Sequence, residues 1–227
     1  MNTWLYSLFT EHITSDLPFY VSDVQTVLEL GCGTGRVLLP CAQHGAQCVG
    51  IDHSTEALDS CRKTFERSDL SVTLHHMDMT EFELNQSFEQ IQLPLRTFQL
   101  LPPSLWSLCL KKCHQHLVPN GTLKMHLSPH IQESPARAWT PIGTRQSTDG
   151  GWFLLEEAVH HESHCTNLYH KASHISPQAS NLQSWLMHHK LHHISEKEIR
   201  NLLEETGFQI PQLQPFGQDI ILSTTSR

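Results

Sequence analysis

Three glycines spaced two apart, Gly31, Gly33 and Gly35, together with a carboxylate at Asp52, are the residues of this 227-residue chain whose spacing best suits chemistry. Glycines so placed let backbone N–H groups come close to a ligand. Asp52 lies 52 − 33 = 19 positions beyond the central glycine, where a carboxylate can accept hydrogen bonds from both hydroxyls of a ribose. The order is G-x-G-x-G, with Arg36 where a pyrophosphate-binding turn has its third glycine, and the turn holds no Lys. Glu29 precedes it, so both edges are acidic. A ligand with a ribose and an amino group fits that chemistry better than one with two phosphates.

The elements that must position these groups are legible around them. TVLEL (26–30) is a buried parallel strand, RVLLPCAQHG a short helix ending at a glycine, and AQCVGID a second buried strand ending at Asp52. The run LELGCGTGR followed by VGIDHS resembles motif I and its successor in the class I S-adenosylmethionine-dependent methyltransferases. That resemblance implies an α/β fold: a doubly wound, Rossmann-like seven-stranded sheet with a C-terminal antiparallel hairpin and an inserted region of antiparallel strands. It also implies S-adenosyl-L-methionine as cofactor and S-adenosyl-L-homocysteine as product.

Along the chain the resemblance assigns further residues. ITSDLPFYVSDV has Ser15 or Asp16 as a helix cap and Pro18 in the first turn, and is similar to a D-x-P-F-Y stretch whose helix covers the cofactor, with Tyr20 facing the site. Glu29, Gly31, Cys32, Gly33, Thr34, Gly35, Asp52 and His53 form the implied cofactor loop. SVTLHHM is a third strand running into Asp78, implied to contact the adenine amino group, with Met79 adding a backbone contact. FEQIQL is the fourth strand, and Leu93 at its end joins the implied cofactor set. PLRTFQLLPPSLW resembles a segment of small-molecule methyltransferases that brings Arg96 and Gln99 beside the methyl group as substrate contacts. The acidic or amide residue followed by two prolines and an aromatic, which marks nucleic-acid amino-methyltransferases, is absent from QLPLR. A helix after Pro102 and Pro103 runs to Pro119-Asn120-Gly121, and TLKMHL is the fifth strand, which leaves His126 and His130 near the catalytic edge.

Residues 131–151 read as a loop rich in Pro, Ser, Thr and Gly. GWFLLEEAVHHE, CTNLYHKASH and LQSWLMHHKLHH then read as three antiparallel strands. An insertion of this kind is typical of glycine and nucleotide-sugar N-methyltransferases, where it lines the acceptor pocket or builds a dimer. ISEKEIRNLLEETGF opens with a capping box, Ser195 to Glu198, and FQIPQLQPF and DIILSTT are the final strand pair. The organisation expected is one domain over 1–227: cofactor-covering helices at 1–25, a cofactor-binding core at 26–130, the insertion at 131–193, and the last helix and strand pair at 194–227.

Composition sets bounds. A net charge of −8 and a pI near 6.1 leave no basic stripe for a phosphate backbone and argue against a nucleic-acid partner. Seven cysteines, an odd number without a C-x-x-C pair, read as reduced core thiols of a cytoplasmic protein. MNTWLYSLFTEH has no basic leader and is interrupted by Glu11, so it reads as neither signal peptide nor membrane span, and Trp4, Leu5, Leu8 and Phe9 make one helical face. Among eighteen histidines, HHESHC and HHKLHH invite a zinc reading. Strand alternation separates His160 and His164 from His161, and no cysteine pair closes a tetrahedral site, so no metal is expected.

The function expected is methyl transfer to N or O of a small-molecule acceptor, with His126, His130, Arg96 and Tyr20 as the catalytic candidates. In-line displacement needs the acceptor lone pair held roughly 3–3.5 Å from the methyl carbon. Arg96 suits an acceptor bearing a carboxylate or phosphate. The alternative is a non-catalytic S-adenosylmethionine-binding partner protein. A nicotinamide oxidoreductase is disfavoured by Arg36 in place of the third glycine.

Overall fold

The strands around the glycine turn are apolar on both faces, as strands covered on both sides must be. In the computed structural model, which describes residues 3–129, 131–133, 135–178 and 182–226, β1 (Thr26–Leu30), β2 (Gln47–Asp52), β3 (Thr73–His76), β4 (Phe88–Leu93) and β5 (Leu117–Leu127) run parallel. The antiparallel pair β10 (Gln212–Phe216) and β11 (Asp219–Thr225) completes a seven-stranded sheet in the order β10-β11-β5-β4-β1-β2-β3. Leu28 and Leu30 of β1 join the larger core on one face, while Val27 faces the smaller core on the other.

Helices close both faces, among them α3 (Leu38–Gln43), which buries Leu38, Cys41 and Ala42. α4 (Thr55–Arg67) starts where the Ser54 hydroxyl accepts from the Ala57 amide at 3.3 Å, and it buries Ala57, Leu58, Cys61 and Phe65. α5 (Pro103–Gln115) buries Trp106, Cys109, Leu110 and Cys113. It ends at His116, earlier than the Pro119-Asn120-Gly121 stop expected, and β5 takes that tripeptide into its own first half. The register of β4 against β5 shifts there, and Asn120 sits at φ 61°. A bulge accommodates what would otherwise break the strand. α6 (Glu196–Glu205) carries the reciprocal Ser195–Glu198 capping box.

Residues 14–130 with 194–227 make one compact unit, and residues 1–13 with 131–193 make a second. The second unit is a four-stranded antiparallel sheet of β6 (Arg137–Gln146), β7 (Trp152–His161), β8 (Cys165–Ile175) and β9 (Leu182–His192). β6 corrects the loop expected at 131–151. It lies at the sheet edge, exposed along nearly its whole length, with Pro141 and Gly143 at register shifts. An edge strand needs neither apolar alternation nor every N–H, so its sequence reads as loop. The helix α1 (Thr3–Thr10) belongs to this unit: Leu5 and Phe9 are buried with Leu155, Ala172 and Met187. Each such side chain taken out of water stabilises by about 1.5–3 kcal/mol. The short α2 (Leu17–Tyr20) belongs instead to the first unit.

Candidate functional site

In the seven-stranded sheet the chain steps to one side of β1 through β2 and β3, then to the other through β4 and β5. Loops leave the carboxyl ends of β1 and β4 in opposite directions, and such a reversal opens a crevice for ligands. The glycine turn occupies one wall. Gly31, Gly33 and Gly35 have φ of 69°, 54° and 88°. A Cβ on Gly31 would come within 2.6 Å of the Thr97 methyl group, so the loops after β1 and β4 approach too closely for any other residue. A Cβ on Gly35 would meet the Cys61 sulfur at 2.7 Å, whereas one on Gly33 meets nothing within 4 Å. The turn is thus packed at its ends and open at its centre.

Asp52 straps the turn to the end of β2. Its Oδ2 accepts from the Gly33 amide at 2.9 Å and its Oδ1 from the Ser54 amide at 2.8 Å. The amides of Gly31 and Cys32 donate to the Ile51 carbonyl. Each carboxylate oxygen retains acceptor capacity for a hydroxyl. Cys32 is buried, with its thiol against that of Cys61, and Thr34 is half-buried in the turn. His53 is exposed, its carbonyl accepting from His76. Asp78 is exposed after β3 and folds one oxygen onto the amide and hydroxyl of Thr80. The Leu93 side chain is buried in the larger core, and the partly buried Met79 side chain packs against it.

On the opposite face of the sheet lies a buried polar chain. The Lys124 ammonium donates to the Ser22 hydroxyl and Ser22 to Gln90 Oε1. Gln90 Nε2 donates to Gln92 Oε1, and Gln92 Nε2 donates to Glu29 Oε2 at 2.7 Å. Burial pushes the Glu29 carboxyl up to about 8 against the pull of the Gln92 hydrogen bond and the Arg36 charge. The Tyr20 ring is wholly buried, and its hydroxyl has no hydrogen-bond partner among the described residues. Its pKa lies well above the ordinary phenol range, first through burial and then through Asp16 and Glu29. Asp16 occupies the N-cap position of α2 but does not cap it. Its fully buried carboxylate instead takes a two-pronged bond from Arg36, at 2.7 and 2.8 Å. The residue that stands in place of a third glycine therefore ties the glycine turn to α2.

The other wall follows β4. Leu95 and Arg96 are both left-handed, with φ of 48° and 64°, before a 3₁₀ turn at Thr97–Leu100. Non-glycine residues in that region are strained, and such strain concentrates at functional sites. Arg96 Nη1 lies 3.9 Å from Asp219 Oδ2. Asp219 Oδ2 is also 2.8 Å from His126 Nε2, and its Oδ1 accepts from the Ser128 hydroxyl. Burial raises the Asp219 pKa, but the His126 hydrogen bond, the Arg96 charge and the Ser128 hydroxyl outweigh it and hold the group below the usual carboxylate range. Gln99, expected to touch substrate, is fully buried with its amide engaged at both ends: Nε2 donates to the Ser128 carbonyl and Oε1 accepts from the Ser128 amide. It braces Ser128. His130 lies outside the described residues.

The structure therefore places Tyr20, Glu29, the glycine turn and Asp52 around the ends of β1 and β2, and Arg96 and His126 by the ends of β4 and β5. Asp219, Ser128, Gln92 and the Asp16–Arg36 pair are additions the motif reading did not supply. Asp219 is 93 positions from His126 and meets it only because β11 lies antiparallel against β5, with Ile220 opposite Leu127. Among the described residues no group of three or more His, Cys, Asp or Glu could hold a metal ion. All seven cysteines are buried and free of disulfides. No helix of the described residues is long and apolar enough to cross a membrane.

The donor-side chemistry suits the cofactor implied by the motif: an open glycine backbone, a carboxylate for a diol, a carboxyl raised by burial, and a buried phenol without a hydrogen-bond partner among the described residues. Residues 27–121 match a family described as "Methyltransferase domain". Over 114 residues the chain is 30% identical to the tRNA1(Val) (adenine(37)-N6)-methyltransferase of Vibrio campbellii, covering 42% of this chain and 48% of that protein. The chain spans about half the length of the curated relatives it matches. Among solved structures, DesVI of Streptomyces venezuelae superposes with a TM-score of 0.83 at 15% identity over 100% of this chain and 99% of that one. The S-adenosylmethionine-bound amino pentose methyltransferase CalS10 of Micromonospora echinaspora gives 0.80 at 14% identity, over 98% and 96%. At those identities the likeness is one of fold.

Proposed function

Residues 27–121 matching a methyltransferase domain, we propose that the chain is a class I S-adenosylmethionine-dependent methyltransferase that transfers a methyl group from that cofactor to a nitrogen or oxygen of a small-molecule acceptor. The observation that carries this reading is the pairing of two unlike walls at one crevice. One wall, with the open Gly33 backbone and Asp52, would hold the donor, and the other, with Arg96, His126 and Asp219, would handle charge and a proton.

When bound, the cofactor supplies an electrophilic methyl group on a sulfonium. Asp52 would hold the ribose, the open backbone at Gly33 the close face of the ligand, and Asp78 the adenine amino group. Glu29 and Tyr20 would meet the methionine ammonium and carboxylate, an ammonium being the partner a buried carboxyl needs to ionise. Arg96 would bind an anionic group of the acceptor in two-pronged fashion. Positioning of the acceptor lone pair can supply a large part of the rate.

The small-molecule class is supported by the net charge of −8 and the missing nucleic-acid signature after β4, although the relatives of similar sequence include methyltransferases of tRNA and of 23S rRNA. The fold likeness to an amino pentose methyltransferase favours an amino sugar within that class. The buried free thiols fit a reducing, cytoplasmic setting.

Calorimetry with S-adenosylhomocysteine tests the donor half. Binding is expected in the wild type, and Asp52→Ala should weaken it about 10- to 100-fold, the worth of one or two hydrogen bonds to a charged group. Absence of heat in the wild type would overturn the reading. A panel of amino sugars, other amines and phenols tests the acceptor half. Binding with no turnover on any of them would point to the non-catalytic partner instead.

A further inference from the structure

Resting on that reading of the crevice, a second carboxylate has a role beyond holding the fold. His126 is buried, and its two ring nitrogens face different surroundings. Nε2 lies 2.8 Å from Asp219 Oδ2, while Nδ1 is buried with no hydrogen-bond partner among the described residues. An ionised carboxylate only accepts hydrogen bonds, so a neutral His126 beside it keeps its proton on Nε2 and a lone pair on Nδ1. We propose that Asp219 is a positioning residue that fixes His126 as the Nε2–H form, leaving Nδ1 to receive the surplus proton of the methyl acceptor.

The rest of the cluster is arranged to keep Asp219 an anion and in place. Ser128 donates to its Oδ1, Arg96 stands 3.9 Å from Oδ2, and Gln99 clamps the Ser128 backbone. The Phe216 ring meets the imidazole edge-on at 5.4 Å between centroids and limits its rotation. Among the described residues the charged groups around His126 are Asp219 from β11 and Arg96 from the loop after β4. Lys124, two residues back on β5, is directed to Ser22 and the Phe19 ring.

An amine acceptor attacks with its own lone pair. The nitrogen lone pair forms the N–C bond as the S–C bond breaks with its electron pair left on sulfur. The methylated nitrogen then carries one proton too many. That proton passes to the Nδ1 lone pair, and the resulting imidazolium shares its Nε2–H with Asp219 until Nδ1 returns the proton to water. The division of labour matches that of a histidine–carboxylate pair in which the carboxylate orients and never itself takes the proton.

Long-range proton–nitrogen correlation spectra of the full-length, nitrogen-15-labelled chain test the assignment without any acceptor. His126 is identified by the signal lost in His126→Gln. The wild type is expected in the Nε2–H form. Asp219→Asn should convert it to Nδ1–H, because the Ser128 hydroxyl, which donates at the Oδ1 place, takes the amide oxygen and turns the NH2 toward the ring. An Nδ1–H wild type, or an unchanged tautomer in a folded Asp219→Asn, overturns the proposal; if that variant does not fold, the wild-type spectrum decides.

S-Adenosylhomocysteine affinity, measured on the same samples, separates the two readings. Its loss in the wild type sinks the cofactor reading and leaves the tautomer result standing. With a productive acceptor, Asp219→Asn should lower kcat about 10²- to 10⁴-fold, the usual worth of a positioned base, and erase the acid limb of the pH profile at unchanged cofactor affinity.

Discussion

At the scale of single residues, Glu29 carries the most distinctive chemistry of the donor wall. Its carboxyl is buried, accepts one hydrogen bond from Gln92, and is pushed up to about 8. A carboxyl raised in the fold binds more protons folded than unfolded, so stability is fullest below its ordinary value of 4.5 and is lost as pH rises toward about 8. Glu29→Gln, neutral at every pH, should therefore raise the melting temperature by several degrees at pH 8.5 and leave it nearly unchanged at pH 4.5, read by thermal denaturation at both. The same substitution should weaken S-adenosylmethionine binding by tenfold or more, because the ammonium loses its counter-charge. Cofactor binding to the wild type near neutral pH should release protons as Glu29 ionises. Calorimetry in buffers of different ionisation enthalpy reads that release directly; a heat independent of buffer would refute it.

At the scale of elements, the glycine turn is held at its ends and free at its middle, which separates two substitutions that look alike in sequence. Gly35→Ala forces a methyl into the Cys61 sulfur at 2.7 Å and the Phe65 ring at 3.3 Å with φ at 88°, and should cost roughly 2–3 kcal/mol in denaturant unfolding. Gly33→Ala meets open space and should cost only the left-handed penalty of about 1–2 kcal/mol, while its effect falls on cofactor affinity. Equal losses of stability would refute the distinction. Arg36→Ala, which strands the buried Asp16 carboxylate, should cost about 3–5 kcal/mol, and removing both partners should cost less. Most of this wall was legible beforehand, because strand–turn–helix–strand and the step to Asp52 are local patterns. Of the residues that meet around Asp219 and Ser128, the motifs pointed only to Arg96, Gln99 and His126. Asp219 sits in a hairpin whose pairing with β5 depends on tertiary contacts, and Gln90 and Gln92 look like the polar face of an exposed strand until α2 covers them. Edge strand β6 was hidden for the reverse reason, since exposure on both sides leaves no periodicity to read.

At the scale of the molecule, two compact units bring opposite responses to pH. In the unit of residues 1–13 and 131–193, burial lowers the pKa of His12, His192 and His193, with neighbouring positive charge adding to it. These groups bind fewer protons folded than unfolded, so that unit's stability is present above pH 6.5 and declines as pH falls below it. The other unit, through Glu29, declines as pH rises from 4.5 to about 8. Trp4, Trp139, Trp152 and Trp185 all lie in the histidine-rich unit and Trp106 in the other. In a Trp106→Phe background, fluorescence follows one unit while far-ultraviolet dichroism follows both. The fluorescence midpoint in denaturant should drop from pH 7 to 5.5 as the remaining dichroism transition rises. S-Adenosylhomocysteine should move chiefly the latter, and coincident shifts would overturn the assignment. The pairing of His126 with Asp219 across 93 residues has a further consequence, one of timing. A ribosome adding about 5–20 residues per second takes about 5–20 s to go from one to the other. Through that interval the nascent chain already contains the glycine turn, Asp52 and Asp78 but lacks the carboxylate that sets His126, so the capacity to hold the donor matures before the capacity to use it. Nascent chains arrested before and after the last strand should both retain labelled cofactor, and only the longer should methylate.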